Sequence, residues 1–497
     1  MKKHLAIAVT AILCLQGFLT SCSSNKDGGA VTLKWYIAGS EQKDLKEVNK
    51  KLNELTREKI GAEVELVQLD WSAYNQKMNM VISSKSEFDL CWTSPQNNNY
   101  YTNVDKNAFL PLDDLMAEYA PKTYAAIPED IWDAARIEGK LYGVINYQVM
   151  ATAYGFAVQR EIADEAGFDW ANVKSYKDIE PVLEYIKKNY PTYIPIGISK
   201  ASNPFKSAMP MFGLEAVGGT SEVGAVYCDA DDIKVVNQFE TPEFMEFIKT
   251  MREWYNKGYI KKDAPTTDDN TTDKIAGKIG VLFPTYLVED TTVSDYYPDK
   301  PYDNTGKTYY LKRLTMPYLS NDRALATMTA ISSTSKHPEK AMELIELVNT
   351  DEEVYNLLCW GIEGKHWNRI DETSVEGYHI TVEQVEDSGY KPNSPWLFGN
   401  NENLWLGSSN TSAEFWKSAN EKATKSPLLG FAYNSSEVST ETANCSSTCD
   451  EYLNSLICGS VDIDTIYPQF IEKLKIAGAD KIIAEKQKQI DEWLKTK

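Results

Sequence analysis

Between Thr32 and Trp92 the hydrophobic period of the chain switches repeatedly between two and about 3.6, which restricts the available folds more than any other feature. Residues 32–37 (TLKWYI) alternate apolar and polar groups and read as a strand. Leu45, Val48, Leu52, Leu55 and Ile60 then recur at helical spacing, with Ser40 as a candidate cap and Gly61 as the stop. Residues 64–69 predict a second strand, 74–83 a helix with Met78, Val81 and Ile82 inward, and 88–92 a third strand. Strand, helix, strand, helix, strand calls for parallel pairing with right-handed crossovers. The loops at the strand C-termini, where open α/β sheets take ligands, then carry Ala38-Gly39-Ser40, Asp70-Trp71 and Trp92-Thr93-Ser94.

A second α/β set follows. Residues 139–148 read as a strand entering a connection, 153–158 and 194–198 as strands, and 160–166 and 179–189 as helices. Thr241-Pro242-Glu243 opens a helix that Gly258 closes. Residues 278–283 form a buried strand ending at Pro284-Thr285-Tyr286, and 289–304 a polar surface loop. Residues 324–332 are strand-like, and helices follow from His337-Pro338 and over 351–360. Trp396, Trp405 and Trp416 lie in a stretch rich in Ser, Asn, Gly and Pro, whose role the sequence leaves open, and one long amphipathic helix spans about 466–494.

The N-terminus reads as an export signal: Lys2-Lys3, then an uncharged apolar run from Leu5 to Leu19, too short to span a bilayer. Leu19-Thr20-Ser21-Cys22 resembles the bacterial lipobox, in which the cysteine thiol takes a diacylglyceryl group. Residues 1–21 are then a signal peptide and 22–30 a lipidated tether, placing the protein on the outer face of the cell membrane. A formal charge of −21 argues against nucleic acid and anionic lipid as partners. Cys91 and Cys359 sit in apolar runs and read as small buried residues. Cys445, Cys449 and Cys458 leave a disulfide among them open, and no histidine nearby supports a metal site. No cofactor is expected.

Several longer stretches carry a family likeness: "FLPLDDLMAEYAP" (109–121), "IPEDIWDAARIEGKLYGVINYQ" (127–148), "AISSTSKHPEKAMELIELVNTDEEVYNLLCWGIEGKHW" (330–367), "SPLLGFAYN" (426–434) and "FIEKLKIAGADKIIAEKQKQIDEWL" (470–494). On these the chain resembles the extracellular sugar-binding lipoproteins of bacterial ABC importers, in the LplA-like branch with an extra C-terminal domain. The resemblance implies an α/β clamshell of two lobes (type II) with an added helical C-terminal region. Lobe one would hold residues 31–146 plus 324–365. Lobe two would hold 147–323 plus 366–497, with crossings near 145–148, 320–325 and 364–366. It implies a carbohydrate ligand, most simply an oligosaccharide, and separate ABC permease subunits as partners of a monomer. A secreted glycoside hydrolase and a sugar receptor for a sensor system are the alternatives.

Sugars are held by aromatic faces against their C–H faces and by short polar groups on their hydroxyls. By position, Trp71, Trp92, Tyr147 and Tyr286 are the aromatic candidates, with Trp360, Trp367 and Trp396 behind them. Ser40, Asp70, Gln148, Asn203 and Glu363 are the polar candidates, the acids by accepting charge-assisted bonds. Arg323 or Lys365 could instead face an acidic sugar. No catalytic residue is assigned: Gly197-Ile-Ser199-Lys-Ala201 lacks the closing glycine of a nucleophile elbow, and Ser333-Thr-Ser-Lys336 lacks its partner motifs. If Cys22 carries the anchor, Cys22→Ala releases the protein from the membrane fraction into the medium. Unchanged fractionation contradicts the anchor.

Overall fold

The computed structural model describes residues 30–169, 172–218, 223–230, 232–287, 307–371, 381–407 and 413–496. The signal, the lipobox and the polar loop at 289–304 lie outside the described residues. β1 (Val31–Ala38), α1 (Leu45–Ile60), β2 (Ala62–Leu69), α2 (Trp71–Ser83) and β3 (Leu90–Thr93) follow the order predicted from periodicity. β1 pairs in parallel with β2 from Val31↔Ala62 and with β3 at Trp35↔Leu90. The strand Met328–Ile331 returns antiparallel to β3, and Val144–Ile145 completes the sheet, reducing the predicted strand at 139–148 to short pieces. Leu33, Trp35 and Ile37 of β1 meet Val48 and Leu52 of α1 in the first core. Gly61 takes a left-handed conformation and stops α1.

Ser40 does not cap α1; Asp44 occupies that position. Its carboxylate is held instead by Lys365 Nζ at 3.0 Å and His366 Nε2 at 3.3 Å, so it is not free to cap.

The second sheet runs Tyr309–Arg313, Ala153–Gln159, Ile279–Leu287, Ile194–Gly197. Ile279–Leu287 does not stop at Pro284, as the sequence suggested. It continues through it, with a register shift between Leu282 and Thr285 that leaves Tyr286 opposite Tyr154. Proline is tolerated there because a bulge removes the ladder bond it cannot make. Behind this sheet lies Pro242–Asn256, capped by Thr241 and burying Phe244, Phe247, Ile248 and Met251.

The expected single C-terminal helix is two, Ile463–Ala477 and Ala479–Leu494. Gly478 separates them at φ 109°, and a Cβ there would sit 2.3 Å from Glu441 Cγ. These helices and Ser439–Ile457 pack into the second core through Leu453, Leu456, Phe470, Leu474 and Ile482. Cys445, Cys449 and Cys458 are buried there as free thiols, and Cys91 and Cys359 are buried in the first core.

The chain passes between the two cores at about Thr152, after the stretch 145–148, and again around Tyr318–Arg323. The third crossing does not fall at 364–366. His366 is buried against Asp44 of the first half, the Asp44 N–H donates to Gly389 O, and Tyr390, Leu397, Phe398 and Trp416 pack into the first core. The tryptophan-rich stretch therefore sits on the first lobe, where the boundary at 366 had put it on the second. The chain crosses instead at Thr424–Lys425, which pairs in parallel with Tyr318–Leu319 of the second crossing. Tyr318 also bridges Thr152 of the first. Asn420 Oδ1 accepts from the Met150 and Ala151 N–H groups at 2.8 and 2.9 Å, tying the third crossing to the first.

Candidate functional site

A cavity of about 440 Å³ lies between the two cores beside these crossings. Gln96, from the loop after β3, faces Tyr154 and Tyr286 of the second sheet across it, and Asp322 and Arg323 of the second crossing close one side. Tyr286 is 52% exposed, with its ring centroid 5.5 Å from that of buried Tyr154 and its hydroxyl donating to Ser207 O at 3.0 Å. The pair stands directly across two antiparallel strands, so one ring backs the other. A second cavity of about 290 Å³ continues along this sheet through the shared residues Ala201, Ser207 and Tyr286. Among the described residues no group of His, Cys, Asp and Glu is arranged to hold a metal ion.

At the C-terminal edge of the first sheet, Trp71, Trp92 and Trp396 form a cluster with ring centroids 5.6–5.8 Å apart. Trp71 is 40% exposed, whereas Trp92 is buried and donates from Nε1 to Thr327 Oγ1 at 3.0 Å. Thr327 in turn donates to Trp396 O, and Asn146 Nδ2 reaches both. Trp92 thus supports the exposed ring of Trp71 rather than presenting its own face.

Other sequence candidates lie elsewhere. Tyr147 is buried with its ring edge-on to Trp416 at 5.1 Å, and Gln148 is half-buried with its carbonyl accepting from Asn420 Nδ2. Both belong to the packing of the crossing. Asn203 is buried and caps Pro204–Ser207 by accepting from the Phe205 N–H at 2.9 Å. Asp70 caps α2, accepting from the Ser72 N–H and hydroxyl, which hold its carboxyl below the usual range. Ser40 is exposed, and its carbonyl accepts from the Gln42 and Gln68 amides. Trp360 packs on the first core, and Glu363 is exposed 3.6 Å from Arg369. Trp367 is buried on Trp405, and Lys365 pairs with Asp44 and Glu47. Only Tyr286 and Arg323 of all these line the cavity, and the Arg323 guanidinium is anchored on Thr152 Oγ1 at 2.6–2.8 Å.

Gln96, Tyr154 and Asp322 were not singled out from the sequence. Gln96 follows the third strand in the loop where ligands were expected, so its position was available. Tyr154 becomes visible only through its register with Tyr286. Burial raises the Asp322 pKa, opposed by the Gln96 amide beside it. Glu215, also on the cavity wall, is buried; its pKa is pushed up to about 7, while the Tyr318 and Ser426 hydroxyls that donate to it pull the other way.

The bacterial extracellular solute-binding protein family matches residues 50–359, and a domain of unknown function (DUF3502) matches 427–495. The chain belongs to this family of two-domain extracellular solute-binding proteins. It is similar to a carbohydrate ABC transporter substrate-binding protein of Streptococcus pneumoniae, with 31% identity over 100% of this chain and 99% of the relative. Among solved structures it resembles the N-glycan transport solute-binding protein NgtS of the same species. The TM-score is 0.81 at 29% identity, over 94% of this chain and 99% of that one. Against the NgtS complexes with Man1GlcNAc and Man5GlcNAc the TM-scores are 0.71 and 0.67.

The raised pKa of Glu215 has a consequence for stability. The folded protein keeps a proton there that the unfolded chain, with an ordinary value of 4.5, has released. Glu215 therefore costs the fold nothing at low pH, and about 3 kcal/mol is lost as pH rises from 4.5 through about 7. Urea unfolding at pH 5 and pH 8 checks this: Glu215→Gln narrows the gap between the two midpoints relative to wild type. An unchanged gap contradicts it.

Proposed function

We propose that this protein captures an oligosaccharide outside the cell and delivers it to an ABC permease, acting as a monomer tethered through Cys22. The observation that carries the reading is the Tyr154–Tyr286 pair. It offers a half-exposed aromatic face in a cavity between two lobes, with Gln96, Asp322 and Arg323 as polar partners. An aromatic face for C–H groups, surrounded by amide, carboxylate and guanidinium groups, suits a pyranose better than an apolar or polyanionic ligand. Trp71, at the edge of the first sheet, supplies a second open ring.

Sugar entering the cavity would touch both lobes and favour their closure about the crossings. We assign lobe one to residues 31–146 and 324–423 and lobe two to 153–313 and 436–496, following core membership. The family relationship supports transport rather than hydrolysis, and the glycans bound by NgtS suggest N-glycan fragments as cargo.

Isothermal titration with Man5GlcNAc tests the reading. Wild type should bind, and Tyr286→Ala should lose about 1–3 kcal/mol of affinity, the range for a buried aromatic anchor. Wild-type affinity retained in the variant refutes the role of Tyr286. Release of shortened glycan during incubation refutes the binding-protein reading itself.

A further inference from the structure

We infer that residues 428–435, within the domain of unknown function, form the outer wall of a second sugar subsite that extends the cleft. The inference rests on the carbohydrate reading above. A cavity of about 300 Å³ adjoins the main one and shares Gln96, Glu215, Ala216 and Asp322 with it, so one glycan long enough to pass these residues would contact both. One wall is the short helix Tyr100–Asp105 of the first lobe, the floor is the strand Leu214–Ala216 of the second, and the far wall is the C-terminal segment through Tyr433 and Ser435.

That segment is built into place. Asn321 Nδ2 donates to Phe431 O and Tyr101 Oη, each at 3.0 Å, and its Oδ1 accepts from the Gly430 N–H at 2.9 Å. One side chain of the second crossing thus joins the wall to the first lobe. Phe431 packs with Leu428, Val217 and Ile490 in a small core of its own. Tyr433 is fixed from behind, with the Lys486 ammonium 4.9 Å from its ring centroid. Gly218 makes the close approach possible: at φ +79° it has no Cβ, and one would lie 2.3 Å from Tyr433 Cδ1. The lining offers the same two kinds of group as the main cavity, an aromatic ring and neutral amides with carboxylates between them. A subsite of this kind, adjoining the main one, selects for glycan length.

The test compares Man1GlcNAc and Man5GlcNAc by isothermal titration on the full mature chain. The proteins are wild type, Thr102→Trp on the lobe-one wall and Ser435→Trp on the C-terminal wall, each filling the subsite without touching Tyr154 or Tyr286. Wild type is expected to bind Man5GlcNAc more tightly. Each variant should weaken Man5GlcNAc by about tenfold or more and leave Man1GlcNAc within about twofold, with an unchanged melting temperature. Equal wild-type affinity for the two glycans overturns the subsite, and needs no variant. Equal weakening of both glycans, or of neither, in the variants also overturns it while the carbohydrate reading stands. Binding of neither glycan by wild type overturns the cargo reading itself, and the subsite with it.

Discussion

Three chain passages held side by side by backbone hydrogen bonds are the constraint on which the rest of the structure depends. Thr152, Tyr318–Leu319 and Thr424–Lys425 come from parts of the sequence more than a hundred residues apart, yet they pair as neighbours between the cores. Their bonds join main chain to main chain, so they fix geometry without regard to side-chain identity. Asn420 reinforces them from inside, where both of its acceptor bonds meet buried N–H groups that would otherwise lack partners. The cavity lies beside this seam, lined by residues of both lobes and of the second crossing. Ordering distant segments carries a large entropic cost, offset here by cores that each bury a complete sheet and its helices.

Chemistry at the cleft follows from which residues the seam brings together. Asp322 and Arg323 belong to the second crossing itself, so any movement of the lobes moves them too. Glu215 lies where the second lobe, the second crossing and residue 426 converge, bonded by hydroxyls from the last two. A buried acid with a pKa near neutrality sits at that junction, while the outer surface carries the charge of a chain at −21. The aromatic groups divide in the same way. Trp92 and Tyr154 are buried supports, and Trp71 and Tyr286 are the rings left open.

Local order was legible in the sequence and long-range placement was not. The elements from β1 to β3, the capped helix at 242 and the helices at 338 and 352 follow directly from period and capping residues, which act within a few positions. The third crossing was misplaced because His366 and Tyr390 are held to the first lobe by Asp44 and by packing, contacts that no local pattern encodes. Gly478 was read as part of a helix because its apolar flanks keep helical spacing on both sides. At the candidate site, the place of Tyr286 after a buried strand was enough to single it out, and it lines the cavity. Tyr147 packs on Trp416 and Asn203 caps a short helix, roles that a ring at a crossing and an amide before a proline also fill. Tyr154 needed strand register, and the wall at 428–435 needed the whole fold.

The central claim is that two lobes joined by this seam close on a glycan. Small-angle X-ray scattering of the mature chain, with and without saturating Man5GlcNAc, measures it most directly. The account predicts a smaller radius of gyration with glycan bound. An unchanged radius under conditions where titration shows full occupancy would contradict closure and leave the seam a rigid joint.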